Sequence, residues 1–337
     1  MIYNSTPNLN RQNYLRFCLE RTIKKTASGL GFFVFTYLAS MYAASLGFGI
    51  MFGISSANSL DTVSLFFLEI FISVFSAFIP GLFYFLFSGR SMSETIKTSY
   101  VRQKELWALV FVGMAVAMVS NTASDMVQTN FSFFGLQNSV NMSEDVSNPL
   151  EIVLYIISTA LVPAFAEEFA FRGIFMGILR KYGDAFAIIT SAIIFGAMHG
   201  NIAQIPFAFI LGLVLAYVAC KTNSILPSII IHFLNNFYAV MLDVLQSTGV
   251  FSDRIFMMIY FILIASFCIL GLLSFFYLVK KDKNYFRISD KSILQNDNEI
   301  SILLTLKEKM KAFFINPGML FVLNLFLIET IISLEVI

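Results

Sequence analysis

The chain has 337 residues, is 58% apolar and 13% charged, carries 39 phenylalanines and has a formal net charge of +1. That balance cannot be wrapped into a water-soluble domain of this length, so a polytopic membrane protein is expected. Near-neutrality gives no electrostatic basis for a nucleic-acid partner, and none is expected.

In chain order, residues 1–28 are polar and basic, with Arg11, Arg16, Arg21, Lys24 and Lys25 against Glu20. They lack the short apolar run and small-residue cleavage site of a secretory signal, so the first hydrophobic helix is expected to insert and stay. Apolar stretches of roughly 20 residues, enough to cross a bilayer, follow near 29–54, 63–88, 107–129, 150–172, 185–201, 203–220, 225–246, 255–279 and 314–335. The last contains Pro317, Gly318 and Glu329 and suits an interfacial position as well as a span. The expected fold class is therefore all-α, a polytopic transmembrane helix bundle of about eight to nine spans.

Basic loops recur at Arg90, Lys97, Arg102 and Lys104, at Arg180 and Lys181, at Lys221, and from Lys280 through Lys283, Arg287 and Lys291. They fall on one side of this span list, and the positive-inside rule makes that side, with the N-terminus, cytoplasmic. Residues 130–149 combine Asn and Ser with Glu144 and Asp145, which suits an external loop or short interfacial helix anchored by Phe131, Phe133 and Phe134. Residues 280–312 read as a charged cytoplasmic linker ending in an amphipathic surface helix, with no chemistry of its own. The organisation expected is a basic N-terminus (1–28), N-terminal transmembrane helices with the external loop (29–149), a helical core bearing the chemistry (150–246), and C-terminal transmembrane helices (247–337). Cys18, Cys220 and Cys268 are scattered without metal or redox spacing and are expected to be unpaired.

The chemistry concentrates in residues 150–246. Glu168 and Arg172 lie four residues apart on one helix face and can offset each other's burial as an ion pair, whereas the adjacent Glu167 points about 100° away and has no local partner. Pro163 adds a kink and a freed carbonyl at that level. A turn at Tyr182, Gly183 and Asp184, with Gly as C-cap and Asp as N-cap, folds a hairpin that brings Glu167 level with His199. Arg172, Arg180 and Lys181 are placed to snorkel. Gly196 leaves room for close helix contact beside His199, and Phe195 would exclude water on one side. In the next helix, which admits Pro227 in its first turn, His232 and Asn236 share a face with Asn235 on its flank. An imidazole and an amide aimed into an apolar bundle suit either donors for an oxyanion or metal ligands.

The segments EEFAFRG (Glu167 to Gly173), FGAMH (Phe195 to His199) and HFLNN (His232 to Asn236) resemble the EExxxR, FxxxH and HxxxN motifs of the CPBP family. These are the CAAX-protease and bacteriocin-processing membrane endopeptidases, also called Abi. The resemblance covers about residues 150–245, with all three motifs complete and in order. It implies a multi-pass protein of the cell membrane that hydrolyses a peptide bond in a membrane-associated protein or peptide near the cytoplasmic leaflet. Glu167 and His199 would activate water, His232 and Asn236 would stabilise the oxyanion, and Glu168 and Arg172 would support them. Glu167, His199 and His232 would equally suit zinc or another divalent metal, as in a metalloprotease, and metal-free catalysis stays open beside it. Two other classes are weighed against hydrolysis. One is a non-catalytic peptide-binding or immunity protein, which would keep its function in Glu167→Gln; the other is a proton-coupled transporter, whose usual internal repeats are absent from the sequence.

Overall fold

The computed structural model describes residues 6–53, 60–133, 136–138, 146, 148–288 and 304–336. Phe134, Glu144, Asp145 and Lys291 of the expected loops lie outside the described residues. The long helices are α1 (Thr6–Phe52), α2 (Thr62–Ser88), α4 (Gln103–Phe133), α9 (Gln204–Thr222), α10 (Leu226–Ser247) and α11 (Asp253–Lys281). Between α2 and α4 lies the single turn α3 (Met92–Thr95), closed by a reciprocal Ser91 and Glu94 cap. A three-residue antiparallel pair, β1 (Leu136–Asn138) with β2 (Leu334–Val336), is a minor addition to an all-α bundle.

The segment 149–182 is one span made of alternating windings. Helix α5 (Pro149–Tyr155) passes into a π-helical turn over Ile156–Leu161, then α6 (Val162–Glu167), a second π-helical stretch over Glu168–Phe175, and α7 (Met176–Leu179). It ends in a tight turn at Arg180–Tyr182. Gly183, at φ 120°, provides the reversal that an L side chain resists. Asp184 is not the N-cap expected of it. It is the first residue of α8 (Asp184–Ala197), and its carboxylate accepts from Arg180 Nε at 2.9 Å.

Seven helices among the described residues are long and apolar enough to cross a membrane, and eight if the bent pair α12 (Leu306–Phe314) and α13 (Pro317–Ile332) is one span. The protein is a multi-pass membrane protein. The fifth expected segment, 185–201, corresponds to α8, which has 14 residues, below spanning length. It stops short because Met198 and His199 form a turn closed by Gly200 at φ 59°. The basic N-terminal segment is helical from Thr6 and continuous with the first span.

Helix α8 is enclosed between α9, the 149–182 span and α12. A Cβ at Gly196 would lie 3.0–3.1 Å from the Phe209 Cβ and backbone, so this glycine sets how closely α8 and α9 approach. The amphipathic helix expected on the surface is instead built into the core. Phe313 of α12 is fully buried edge-on against Phe175 and Phe186, with ring centroids at 6.3 and 5.9 Å, because its apolar face meets an aromatic socket rather than the bilayer interface. Lys309 Nζ donates to Tyr182 O at 2.7 Å and holds α12 to the hairpin apex. Phe313→Ala is expected to cost about 3–5 kcal/mol, read as a lowered unfolding midpoint in detergent, while Ile315→Ala, exposed at 60%, changes little.

Candidate active site

Three elements supply the polar residues: the α6 to π-helical junction, the end of α8, and the second and third turns of α10. Winding the EEFAFRG segment as a π-helix leaves Glu168 and Arg172 on one side, where Arg172 Nη1 donates to Glu168 Oε1 at 2.9 Å with both side chains fully buried. Arg172 therefore does not snorkel. Its guanidinium lies 4.0 Å over the Phe195 ring, and Nη2 donates to Gly212 O at 3.3 Å. Burial of a charge in a bilayer is tolerated only with such partners.

Glu168 Oε1 also meets His232 Nδ1 at 3.1 Å, so one carboxylate bridges the arginine and the imidazole. The other face of His232 looks at Glu167, with Nε2 3.9 Å from Glu167 Oε2. Glu167 Oε2 is buried and has no hydrogen-bond partner. The separation is too long for a direct hydrogen bond and short enough for one water molecule to contact both atoms.

His199 is not on a helix face as expected but in the turn that ends α8, one residue beyond its cap. Its Nδ1 donates to Phe195 O at 2.8 Å, because a carbonyl can only accept. That bond leaves Nε2 as the free lone pair and lies in the field of Glu167, His232 and Arg172. The Phe195 ring touches both imidazoles edge-on, with centroids 5.0 Å from His199 and 5.9 Å from His232, and so forms a dry wall behind them.

Asn236 Nδ2 donates to Thr159 O at 3.1 Å. Thr159 lies one turn before Pro163, which has no N–H to offer the carbonyls of that turn, and the asparagine supplies a donor there. One of its two amide protons is thereby committed to the backbone, and its Oδ1 accepts from Asn235 Nδ2 at 3.2 Å. Thus Glu168, Arg172 and His232 are joined directly, Glu167 stands 3.9 Å from His232, His199 is linked through the Phe195 ring, and Asn236 through the opposite helix backbone.

The residues 149–238 match the family model described as Type II CAAX prenyl endopeptidase Rce1-like. They form a CPBP-family domain. YdiL of Bacillus subtilis (strain 168), named as a membrane peptidase, is 26% identical over 140 residues, 41% of this chain and 56% of that protein. The membrane-embedded CAAX protease MroQ of Staphylococcus aureus (strain USA300) is 27% identical over 147 residues, 42% of this chain and 58% of that protein. The chain thus spans a little over half the length of each of these relatives. No solved structure matches it significantly.

Within the CPBP domain the expected ligand set of Glu167, His199 and His232 has suitable donor chemistry: both imidazoles are oriented through Nδ1, as ligating histidines commonly are. Its spacing does not fit. Among the described residues no three His, Cys, Asp or Glu side chains stand close enough together to hold a metal ion.

Proposed function

We propose that the chain is an intramembrane endopeptidase that hydrolyses a peptide bond in a membrane-associated protein or peptide, with water as nucleophile. The observation that carries this reading is the approach, at 3.9 Å, of the unpartnered Glu167 Oε2 to His232 Nε2. A water held there gives one proton to Glu167 as its oxygen attacks the substrate carbonyl carbon, while the bare His199 Nε2 accepts its second hydrogen bond and fixes its direction. His232 is held through Nδ1 by Glu168 and faces the reacting centre with Nε2, which donates to the developing oxyanion when both ring nitrogens carry protons. The remaining Asn236 amide proton is the second donor. Collapse of the tetrahedral intermediate breaks the C–N bond as Glu167 returns the proton to the leaving amine.

Glu168 and Arg172 hold this arrangement rather than react, since both are fully enclosed. Basic residues cluster where α2, α8 and α10 meet their loops, and the positive-inside rule makes that face, with the N-terminus, cytoplasmic in a cell membrane. His232 lies about 9 Å along α10 from that end, which puts cleavage on the cytoplasmic side of the bilayer midplane.

Peptide termini in membranes from cells lacking the protein, complemented at matched levels with wild type or Glu167→Gln, test the reading. Termini that appear only with wild type establish hydrolysis and name the substrate. A mutant that restores function with no difference in termini would show a peptide-binding protein using the same cluster. Because Glu167, His199 and His232 are not gathered as three ligands, hydrolysis by purified protein is expected to survive exhaustive chelation. Loss with recovery on adding zinc would instead show that the three close round a metal.

A further inference from the structure

Beyond the catalytic groups, the seam between α10 and the 149–182 span carries further polar pairs. Asp243 lies eleven residues after His232, three helical turns on and about 20° round α10, so His232, Asn236 and Asp243 share one face. The facing chain runs antiparallel and answers each in order. Glu168 meets His232, the Thr159 carbonyl meets Asn236, and Tyr155 OH donates to Asp243 Oδ2 at 2.9 Å. Ser158 and Thr159 hydroxyls lie 3.3 Å apart between the last two pairs.

A row of this kind is costly in a bilayer-spanning seam, where packing alone is served by apolar and small residues. Ser158 and Asn235 are 1% and 5% exposed, and Asn235 Oδ1 is buried without any hydrogen-bond partner. A buried amide oxygen left so would carry a penalty that a water molecule relieves. We propose that this seam is a water path, leading from the end of the bundle where α5 begins and α10 ends down to the Glu167 and His232 pair. Asp243 and Tyr155 form its mouth, and Ser158, Thr159, Asn235 and Asn236 line it. Supplying the hydrolytic water from the face opposite the basic loops rests on the endopeptidase reading; the path itself does not.

Thiol accessibility tests it. Cysteine is placed at Thr159, and separately at Asn235, in full-length protein with Cys18, Cys220 and Cys268 changed to serine. A small membrane-impermeant cationic methanethiosulfonate is applied to each face of sealed vesicles, with modification read by intact mass. Both cysteines are expected to react from the α10-end face about tenfold or more faster than a cysteine at the fully buried Ala160. Asp243→Leu should slow them by a similar factor, while Asp243→Asn, which keeps an acceptor for Tyr155, should not. Rates equal to Ala160→Cys, or reaction only from the basic-loop face, would overturn the path. Labelling needs no turnover, so Glu167→Gln protein gives the same rates; a failed search for new termini would leave this result standing, and the reverse.

Discussion

Glu167→Gln is expected to yield a folded protein that has lost hydrolysis by roughly 10²–10⁴-fold, the range of a removed general base. Glutamine keeps the side-chain volume and hydrogen-bonding capacity but cannot take a proton from water. Glu167 carries no ion pair shorter than 3.9 Å, so little stability depends on its charge. The contrast with its neighbour is what makes the experiment informative. Glu168→Gln alters a fully buried carboxylate shared by Arg172 and His232, and should reduce both folding and activity. Single-turnover rates on a membrane-extracted substrate, beside unfolding midpoints in the same detergent, separate the two. Equal losses of both quantities in the two variants would remove Glu167 from its assigned role.

Arg172→Ala should cost about 3–5 kcal/mol of stability, because it strands a carboxylate in an apolar interior. The side chain also loses its stacking on Phe195 and its bond to Gly212 O. Replacing both partners, as Glu168→Leu with Arg172→Leu, removes the stranded charge and is expected to restore much of the folded yield. Activity should not return, since His232 Nδ1 then has no acceptor to hold the ring against Glu167. Recovery of full activity in the double variant would mean that the imidazole is positioned by packing alone.

Much of this site was legible because it uses rare residues in a medium that penalises them. Two histidines in 337 residues, each within apolar sequence, single out their segments, and spacing of four residues suffices to pair Glu168 with Arg172. The freed carbonyl beside Pro163 followed from proline chemistry, but which residue would fill it did not. Asn236 was read as a donor to substrate, and one of its protons is spent on Thr159 O. The π-helical windings at 156–161 and 168–175 were not legible, since side-chain periodicity over six or eight residues barely distinguishes them from an α-helix.

Other differences share a cause: periodicity records polarity, not what a segment meets. The run 185–201 looked long enough to span because its turn, Met198 to Gly200, contains no charge. Arg172 looked able to snorkel because sequence alone does not reveal a partner across the bundle in Gly212 O. Helix α12 has the composition of an interfacial helix, and its apolar stripe found Phe175 and Phe186 instead. Asp243 is in phase with His232, but a spacing of eleven residues marks a shared face only where the helix is unbroken over three turns.

The docking of Phe313 also bears on the order of synthesis. Helices carrying Glu167, His199 and His232 leave the ribosome well before residues 306–314, yet the socket formed by Phe175 and Phe186 stays open until that helix arrives. The hairpin between the π-helical stretch and α8 thus waits, unclasped at its apex, through translation of about 60 further residues beyond α10, a few seconds at usual elongation rates. A newly made chain passes through an interval in which its motif helices are inserted but not yet locked, and only the last part of synthesis clamps them into register.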